Sequence, residues 1–433
     1  MTRFAGSYLP FAPRPCIITG VIEPSLEAPI LDPAPEAESE LAGTHNRIPG
    51  VAGTWFHRGL LLSVKLSRVN TVLLAVYIEL FTLLVLFTWA LAMESLDIGL
   101  AVGLAFLTLS TLDWVALSQL PRRRRSYGPV SPTLLVLVPL RAVITSVPVL
   151  LPLSPLWTAT IVEISNFALT GYVLDSLWGE PFRLTLTSLT LKSPKLKGAP
   201  PLRVLHLSDF HVERLTRREE KVLKWIDELR PDLIVYTGDL LNFSYLDDER
   251  ARADCVQLLA QIHAPLGVYA VPGTPLIDTP AVQAAIYPPT PHIRLLKNEA
   301  IEIEGYPQVQ IIGLTCTHDP ELDAPKLARA CAAVPPEKYT LLLYHSPDLM
   351  PEARRAGIDL YLCGHTHGGQ IRLPLWGAVV TGSKYGKRYE MGRYQEDGTT
   401  LYVSRGIGLE GKGAPRMRFL CPPEVELFEL RGE

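Results

Sequence analysis

Four long apolar segments in the first half of the chain constrain its fold more than any other feature. They cover residues 71–93, 97–117, 132–153 and 157–177. Each is long enough to cross a hydrocarbon layer of ~30 Å as a helix. Residues 94–96 and 154–156 are very short links, so the segments form two tight helical hairpins. We therefore predict an all-α transmembrane region over residues 54–179 with four membrane-spanning helices.

The charges between these segments predict their orientation, because Lys and Arg are enriched on the cytoplasmic side of membrane helices. All the basic groups fall on one side, whereas the acidic link with Glu94 and Asp97 falls on the other. We expect a multi-pass protein of the cell membrane with both termini in the cytoplasm. The basic groups are His57, Arg58, Lys65 and Arg68 before the first segment, Arg122–Arg125 between the second and third, and Lys192, Lys195 and Lys197 after the fourth.

The N-terminal residues and the cysteines agree with this location. Residues 1–53 are expected to form a disordered tail, because they are rich in Pro, Ala and Glu. They contain no apolar core of the kind found in a cleavable signal, so the first segment is expected to remain as an anchor. The six cysteines are scattered without a paired framework, which fits a reducing compartment.

Four ionisable residues lie within the apolar segments, namely Glu79, Asp113, Arg141 and Glu163. A charge at the centre of a membrane costs about 2.5–3.5 kcal/mol on insertion scales. One interpretation is a polar groove for a lipid headgroup, or a transport path. The other is a structural ion pair from Arg141 to Glu163 or Asp113, which we favour because both signs of charge are present.

Four short motifs in the second half of the chain carry side chains that suit metal ions. Two imidazoles stand one residue apart between glycines in the segment Gly364–Gln370, and each of the other motifs follows an apolar run. Carboxylates and neutral imidazoles suit divalent first-row metals, and two such ions ~3.5–4 Å apart can share a hydroxide and clamp a phosphoryl group. The candidate ligands are Asp209, His211, Asp239, His345, His365 and His367.

The spacing of these residues suggests how two ions would be shared. Asp209 and His211 point to the same side of an extended strand end, so together they would hold one ion. Asp239 would bridge both ions. His345 and His365 would serve the second ion, and His367 would return to the first. We expect the glycines beside His365 and His367 to supply positive φ and close backbone approach.

Hydrophobic patterning places the first ligands at the ends of parallel strands. Leu202–Leu207 and Leu233–Tyr236 are predicted strands, and Arg217–Arg230 is a predicted amphipathic helix between them. Asp209 and Asp239 then follow the carboxyl ends of two adjacent strands, where open α/β sheets place their sites. Three further predicted strands are residues 340–344 before His345, 359–363 before His365, and 182–187 as the opening strand of the domain.

The order of the motifs resembles that of the calcineurin-like metallophosphoesterases. The shared pattern is D-x-H, G-D, H and G-H-x-H, and the sequences GHTHGGQ and Tyr402–Gly406 resemble the membrane-associated bacterial branch. The resemblance covers residues 180–433 and implies an α/β domain built as a double β-sandwich flanked by helices. It also implies hydrolysis of a phosphodiester or pyrophosphate by two divalent ions, which the six candidate ligands would hold. Mn, Fe, Zn and Mg are not distinguished.

One motif departs from the family pattern. The family has G-N-H-[DE], in which Asn binds the second metal and His protonates the leaving group, but this chain has Thr274 and Pro275 at those positions. Pro275 cannot transfer a proton, and the second metal site should be weaker. Thr274 or Asp278 could supply an oxygen ligand, and His318 is a candidate replacement for the acid. The catalytic acid is therefore not assigned.

The loss of the acid has a consequence for the substrate. Acid–base assistance is typically worth about 10²–10⁴ in rate and matters most for a strongly basic leaving oxygen. We expect anhydrides and activated diesters to be preferred over alkyl phosphates.

Few residues separate Leu177 from Phe182, so the domain should lie close to the bilayer. A phosphorylated small molecule or lipid is the expected substrate, soluble nucleotides are an alternative, and nothing indicates nucleic-acid binding.

Two other functions fit the sequence. The domain could be a pseudoenzyme or a metal- and phosphate-binding regulatory module, because Thr274 and Pro275 replace the Asn–His pair. Alternatively, the helices could form a transporter or sensor that the domain regulates.

Three other histidines, His206, His263 and His292, are interpreted as ordinary strand, loop or surface residues. Arg405 fits either phosphate binding or an ion pair.

Overall fold

The computed structural model describes residues 69–122, 130–411 and 416–433, together with residues 62, 65 and 66. The predicted disordered tail, residues 1–53, and the basic residues Arg123–Arg125 lie outside the described residues. A helical region precedes an α/β domain that contains mixed sheets. The predicted fold classes of the two regions are confirmed at this level.

Within residues 69–122 and 130–174, the helical region contains four α-helices, α1 (Thr71–Ala92), α2 (Leu96–Arg122), α3 (Ser131–Ser146) and α4 (Pro155–Leu174). By length and composition, Thr71–Ala92, Leu96–Gln119 and Ser131–Leu150 could cross a membrane. The third of these spans includes a 3₁₀ turn that continues α3. Helix α4 is not among these spans and carries the polar residues Glu163 and Asn166. Three of the four predicted spans therefore have the length and composition of a membrane helix.

A buried ion pair holds α2, α3 and α4 together. Arg141 is fully buried, and its Nη2 lies 2.6 Å from Asp113 Oδ2. The same guanidinium donates to Asn166 Oδ1 at 2.9 Å and to Thr170 Oγ1 at 2.7 Å. Glu163 lies on an exposed face of α4. The expected structural ion pair is therefore formed with Asp113.

The α/β domain contains two six-stranded mixed sheets. In each sheet a run of parallel strands is joined by antiparallel neighbours near the edges. The first sheet has the order β1 (Thr185–Ser193), β14 (Glu424–Gly432), β2 (Leu202–Leu207), β3 (Leu233–Tyr236), β4 (Val268–Ala270) and β5 (Ile293–Leu295). The second has the order β12 (Gly392–Glu396), β13 (Thr399–Val403), β9 (Leu360–Cys363), β8 (Tyr339–Leu343), β7 (Tyr306–Gly313) and β6 (Glu299–Ile303).

The sheets pack against each other, and helices cover their outer faces. Val204 and Val235 of the first sheet share a buried cluster with Ile311 and Leu341 of the second. The opposite faces pack on the helices, so strands such as Leu202–Leu207 are apolar on both sides. The helices are α5 (Arg217–Leu229), α6 (Glu249–Leu259) and α7 (Pro280–Ile286) on the first sheet, and α8 (Pro320–Cys331) and α9 (Met350–Arg355) on the second.

Most of the predicted strands lie within one residue of their observed positions. Strands β2 and β3 have the predicted bounds, and β8 and β9 begin within one residue of those expected. The opening strand is an exception, because β1 begins at Thr185 rather than at Phe182. Residues Glu180–Phe182 form a 3₁₀ turn that contains Pro181, and this turn delays the start of the strand.

A loop near the C-terminus attaches the α/β domain to the end of α4. We call residues 416–421 the C-terminal loop. The amides of Leu420 and Cys421 donate to the buried carboxylate of Glu180. The amide of Arg418 donates to the carbonyl of Ser176 at 2.9 Å, and the ring of Phe419 packs edge-on against Tyr172 of α4. The domain is therefore fixed to the helical region by several contacts besides the chain itself.

The ion pair in the helical region leads to a stability prediction. The Arg141→Met substitution should reduce the free energy of unfolding by about 3–5 kcal/mol, because it leaves the Asp113 carboxylate buried without its cation. Denaturant unfolding in detergent micelles would measure this loss. The double substitution Arg141→Met/Asp113→Leu is the matched control and should recover most of the stability, since it removes both charges. Equal losses in the single and double variants would contradict the prediction.

Candidate metal centre

Six strand ends from the two sheets meet at one edge of the sandwich. In the first sheet, β2 leads to Asp209 and His211, β3 to Asp239, and β4 to Thr274. In the second sheet, β7 leads towards His318, β8 to His345, and β9 to His365 and His367. The structure thus brings all six predicted ligands together, and five of them are at least 97% buried. Those five are Asp209, His211, Asp239, His345 and His367.

The first group of ligand atoms comes from Asp209, His211 and His367. These atoms lie within 4.8 Å of one another. The Nε2 atoms of His211 and His367 face each other at 3.0 Å, and Asp209 Oδ1 lies 3.7 Å from His367 Nε2. Two buried imidazole nitrogens directed at a carboxylate form a donor set that suits a divalent ion. The residues present therefore fit a metal ion at this point.

Asp239 joins the first group to a second one. Its Oδ2 lies 3.8 Å from His211 Nε2 and 3.2 Å from His345 Nε2. The position is therefore compatible with the bridging role predicted for this carboxylate. His345 Nδ1 donates to the carbonyl of Thr237 at 2.7 Å, and this hydrogen bond orients Nε2 towards the site. A further group of possible ligand atoms within 4.8 Å comes from His318, His345 and His365.

The backbone at this edge is strained. A positive φ costs an L-residue roughly 1–2 kcal/mol, and such strain concentrates at functional sites. The sequence suggested that glycines would supply this conformation, but the ligands themselves adopt it as well. Gly364 contributes close approach instead, because a Cβ there would lie 1.9 Å from Asp209 Oδ2. The residues with positive φ include Asp209, His211, Asp239, His318, His365 and His367, at 43–68°.

Burial and mutual charge set the protonation of the ligands. Burial lowers the pKa of His211 to about 4 and that of His365 to about 3, so both rings are neutral at pH 7. Burial raises the pKa of Asp209 to about 6. Burial opposes charge on Asp239 and His345 too, but their attraction outweighs it. The pKa of Asp239 is therefore lowered, and that of His345 is raised to about 10.

The segment after β4 shows what replaces the family Asn–His pair. The Thr274 amide donates to Asp239 Oδ1 at 2.6 Å and its hydroxyl to Oδ2 at 3.0 Å, so Thr274 lies at the site. Asp278 Oδ2 instead accepts the amides of Asp239 and Gly273, so this carboxylate oxygen organises the turn. Pro275 is exposed and carries no transferable proton.

Sequence reasoning did not identify Glu410 as part of the site. Its Oε2 lies 3.9 Å from His211 Nε2 and 3.8 Å from His367 Nε2. Burial raises the pKa of Glu410 to about 7, and the negative charge of Asp239 adds to the effect. The segment Gly408–Gly411 contains no second metal-ligating residue, so its sequence does not indicate a metal site. Only the folding of the loop after β13 brings Glu410 to the metal ligands.

Several residues that we left outside the ligand set have structural contacts. Buried His206 lies 2.8 Å from Thr237 Oγ1, as expected for a satisfied strand residue. His263 stacks on His292 with ring centroids 4.3 Å apart. Arg405 Nε pairs with Glu424 at 2.8 Å, which favours the ion-pair interpretation over phosphate binding. The cysteines that the structure describes form no disulfide bonds.

Comparison with known proteins supports a common family. The family model for calcineurin-like phosphoesterases matches residues 202–273. The metallophosphoesterase YkuE of Bacillus subtilis is 30% identical over 261 residues, which cover 58% of this chain and 87% of YkuE. The phosphodiesterase YaeI of Escherichia coli is 30% identical over 277 residues, which cover 63% of this chain and 95% of YaeI.

A third relative is named as a pyrophosphatase. The UDP-2,3-diacylglucosamine pyrophosphatase LpxG of Chlamydia trachomatis is 27% identical over 330 residues, which cover 61% of this chain and 95% of LpxG. All three relatives match over most of their own length. Together with the strand-end ligands, these similarities establish that the chain belongs to the calcineurin-like metallophosphoesterases, hydrolases that act on phosphoester bonds.

Proposed function

We propose that this protein is a membrane-anchored, two-metal hydrolase of a phosphodiester or pyrophosphate, with a lipid-linked substrate. The observation that carries the proposal is the meeting of Asp209, His211, Asp239 and three further histidines at one buried edge. Asp209, His211 and His367 would hold one ion, His345 and His365 the other, and Asp239 would bridge them. Bound divalent ions would supply Lewis-acid stabilisation of the phosphoryl charge and activate the attacking water.

Protein groups around the ligands hold the ligand side chains in fixed orientations. Thr274 holds both oxygens of Asp239 through its amide and hydroxyl. The carbonyl of Thr237 fixes the ring of His345, and the Ser208 hydroxyl donates to Asp209 Oδ2 at 2.6 Å. Ligands that are oriented in advance lose less freedom when a substrate phosphate binds.

The character of the leaving group follows from Pro275. No proton donor stands at the position of the family histidine, so a strongly basic alkoxide would leave slowly. A pyrophosphate or aryl phosphate leaves as a weak base and needs little acid assistance. The names of the relatives agree with this class, since LpxG is a pyrophosphatase and YaeI a phosphodiesterase.

An exposed apolar hairpin supports a lipid-linked substrate. Strands β10 (Arg372–Leu373) and β11 (Gly377–Ala378) form what we call the Trp376 hairpin. Leu375 and Trp376 at its tip are exposed, and the Lys387 ammonium lies 4.1 Å from the Trp376 ring centre. An exposed Trp beside a Lys is typical of a group that enters a membrane interface.

The Trp376 hairpin contacts both the loop that carries His365 and His367 and the C-terminal loop. It begins directly after the loop with His365 and His367, and a Cβ on Gly369 would lie 2.5 Å from Ala378 Cβ. The start of the hairpin is hydrogen-bonded to the C-terminal loop. The Arg372 amide donates to the carbonyl of Phe419, and the Phe419 ring packs on α4. We infer that the hairpin enters the bilayer and brings the site to lipid phosphates.

The proposed topology follows from the same attachment. We propose that α4 is the fourth membrane helix and that hydrogen bonds from Arg141 satisfy polar side chains on one face of this helix. The basic groups flanking the helices favour a cytoplasmic hydrolase domain in a multi-pass arrangement. The domain organisation that we propose has residues 54–179 as the membrane region and residues 180–433 as the hydrolase domain.

The metal requirement leads to a direct test of activity. The detergent-purified protein should hydrolyse an activated aryl phosphodiester when Mn²⁺ is added, and a chelator should abolish the reaction. The Asp239→Asn substitution should lower kcat/KM at least about 100-fold, because metal catalysis contributes several kcal/mol. The exposed carboxylate Asp247 provides the control Asp247→Asn, which should keep full activity. Equal background rates in wild type and Asp239→Asn, with every divalent metal tried, would refute hydrolysis.

The missing acid leads to a prediction about leaving groups. A nucleoside diphosphate ester and an aryl phosphodiester should turn over at least about 100-fold faster than an alkyl phosphate, because the alkyl leaving group needs the absent acid. Steady-state kcat/KM values for the three compounds measure this preference. Comparable values across the series would show that another residue donates the proton.

The Trp376 hairpin leads to a prediction about lipid substrates. In proteoliposomes, the Leu375→Ser/Trp376→Ser variant should hydrolyse a nucleoside diphosphate diacylglycerol at least about tenfold more slowly, because it loses two apolar side chains worth roughly 1.5–3 kcal/mol each. Its hydrolysis of a soluble aryl phosphodiester should be unchanged. Leu322→Ser replaces an exposed leucine on α8 and serves as the control. A parallel loss on both substrates would point to damage of the metal loop instead.

A further inference from the structure

We propose that His318 is a ligand of the second metal ion and takes the place of the asparagine that related enzymes have where Thr274 stands. This assignment rests on the proposed two-metal function. Without it, the second ion would have only Asp239, His345 and His365 as protein ligands. His318 would give that ion a third imidazole.

The position of His318 supports this role. Its side chain is 95% buried, and its ring centre lies 4.3 Å from that of His365 and 5.9 Å from that of His345. One nitrogen from each of these three rings lies within 4.8 Å of the others. Imidazole nitrogens that lie this close together in a buried site form a donor set that suits a shared metal ion.

The hydroxyl of Thr274 marks the point at which the donors meet. Its Oγ1 lies 3.0 Å from Asp239 Oδ2, 3.2 Å from His345 Nε2 and 3.4 Å from His318 Nε2. The threonine hydroxyl is one bond shorter than the carboxamide oxygen of asparagine. The imidazole of His318 approaches from the opposite sheet and supplies the donor that the shorter side chain does not.

The loop between β7 and α8 is built to hold His318 in place. The Asp323 carboxylate accepts the Thr317 amide at 2.8 Å and the Tyr344 hydroxyl at 2.6 Å. On the other side, Asp319 caps α8 by accepting the amide of Glu321. His318 itself has a φ of 59°, a conformation that costs energy in a residue with a Cβ. Two flanking anchors thus fix a strained residue that points into the site.

The additional imidazole would make the two metal positions chemically different. The first would have two histidines with Asp209 and the bridging Asp239, whereas the second would have three histidines with Asp239 alone. Imidazole suits Zn²⁺ and Fe²⁺, whereas Mg²⁺ prefers oxygen ligands. The second position should therefore select Zn²⁺ or Fe²⁺ over Mg²⁺, and Co²⁺ should report its ligands by visible absorption.

Metal binding by the full-length protein tests the assignment without relying on turnover. Metal-free protein in detergent would be titrated with Co²⁺, and the bound ions counted by elemental analysis. Wild type should bind two ions per chain. His318→Ala should retain one ion, and the affinity for the second should fall at least about 100-fold, since even residues that only orient ligands contribute 10–100-fold. His263→Ala, which removes an exposed imidazole, should bind two ions like wild type.

A second variant separates ligation from a structural role. Thr274→Asn/His318→Ala restores the family amide and should recover the second ion, which a loss of folding would not allow. Retention of both ions by His318→Ala with unchanged affinity would overturn the assignment, as would a wild type that binds only one. Two ions bound by wild type and one by His318→Ala, without hydrolysis of any phosphoester, would refute the proposed function but uphold His318 as a ligand.

Discussion

The carboxylate of Asp239 is the interaction on which the rest of the site depends. It lies between His211 and His345, and thereby connects ligands from the first sheet with ligands from the second. Keeping it ionised in a buried position requires the nearby His345 and the amide and hydroxyl of Thr274. The sheet packing, the turn after β4 and the strained strand ends all serve to hold this one group among its neighbours.

Both regions of the protein bury charged side chains, but their charges are neutralised in different ways. In the helical region, Arg141 and Asp113 neutralise each other, and Asn166 and Thr170 accept further hydrogen bonds from the guanidinium. In the α/β domain, an acidic and imidazole-rich cluster without a compensating lysine or arginine among its ligands is suited to external cations. A buried pair of opposite charges stabilises the fold, whereas a buried cluster of carboxylates and imidazoles is suited to binding a cation.

Much of the α/β domain could be predicted because its strands are short apolar runs followed at once by polar ligands. This pattern located Asp209, Asp239 and His345 correctly at strand ends. It did not identify Glu410 and indicated His318 only as a candidate acid, because loops with no local ligand spacing carry both residues to the site. Nor could it choose between Asp113 and Glu163 as the partner of Arg141, since that choice depends on how α2, α3 and α4 pack.

The position of β14 has a consequence for how the chain is made. This strand lies between β1 and β2 in the first sheet, although it is formed by residues 424–432 and its two neighbours by residues 185–193 and 202–207. The first sheet therefore cannot close until residues 424–432 have been synthesised and have folded between strands formed much earlier in the chain. A chain that stops before β14 would leave β1 and β2 with open edges, which are prone to pair with other strands.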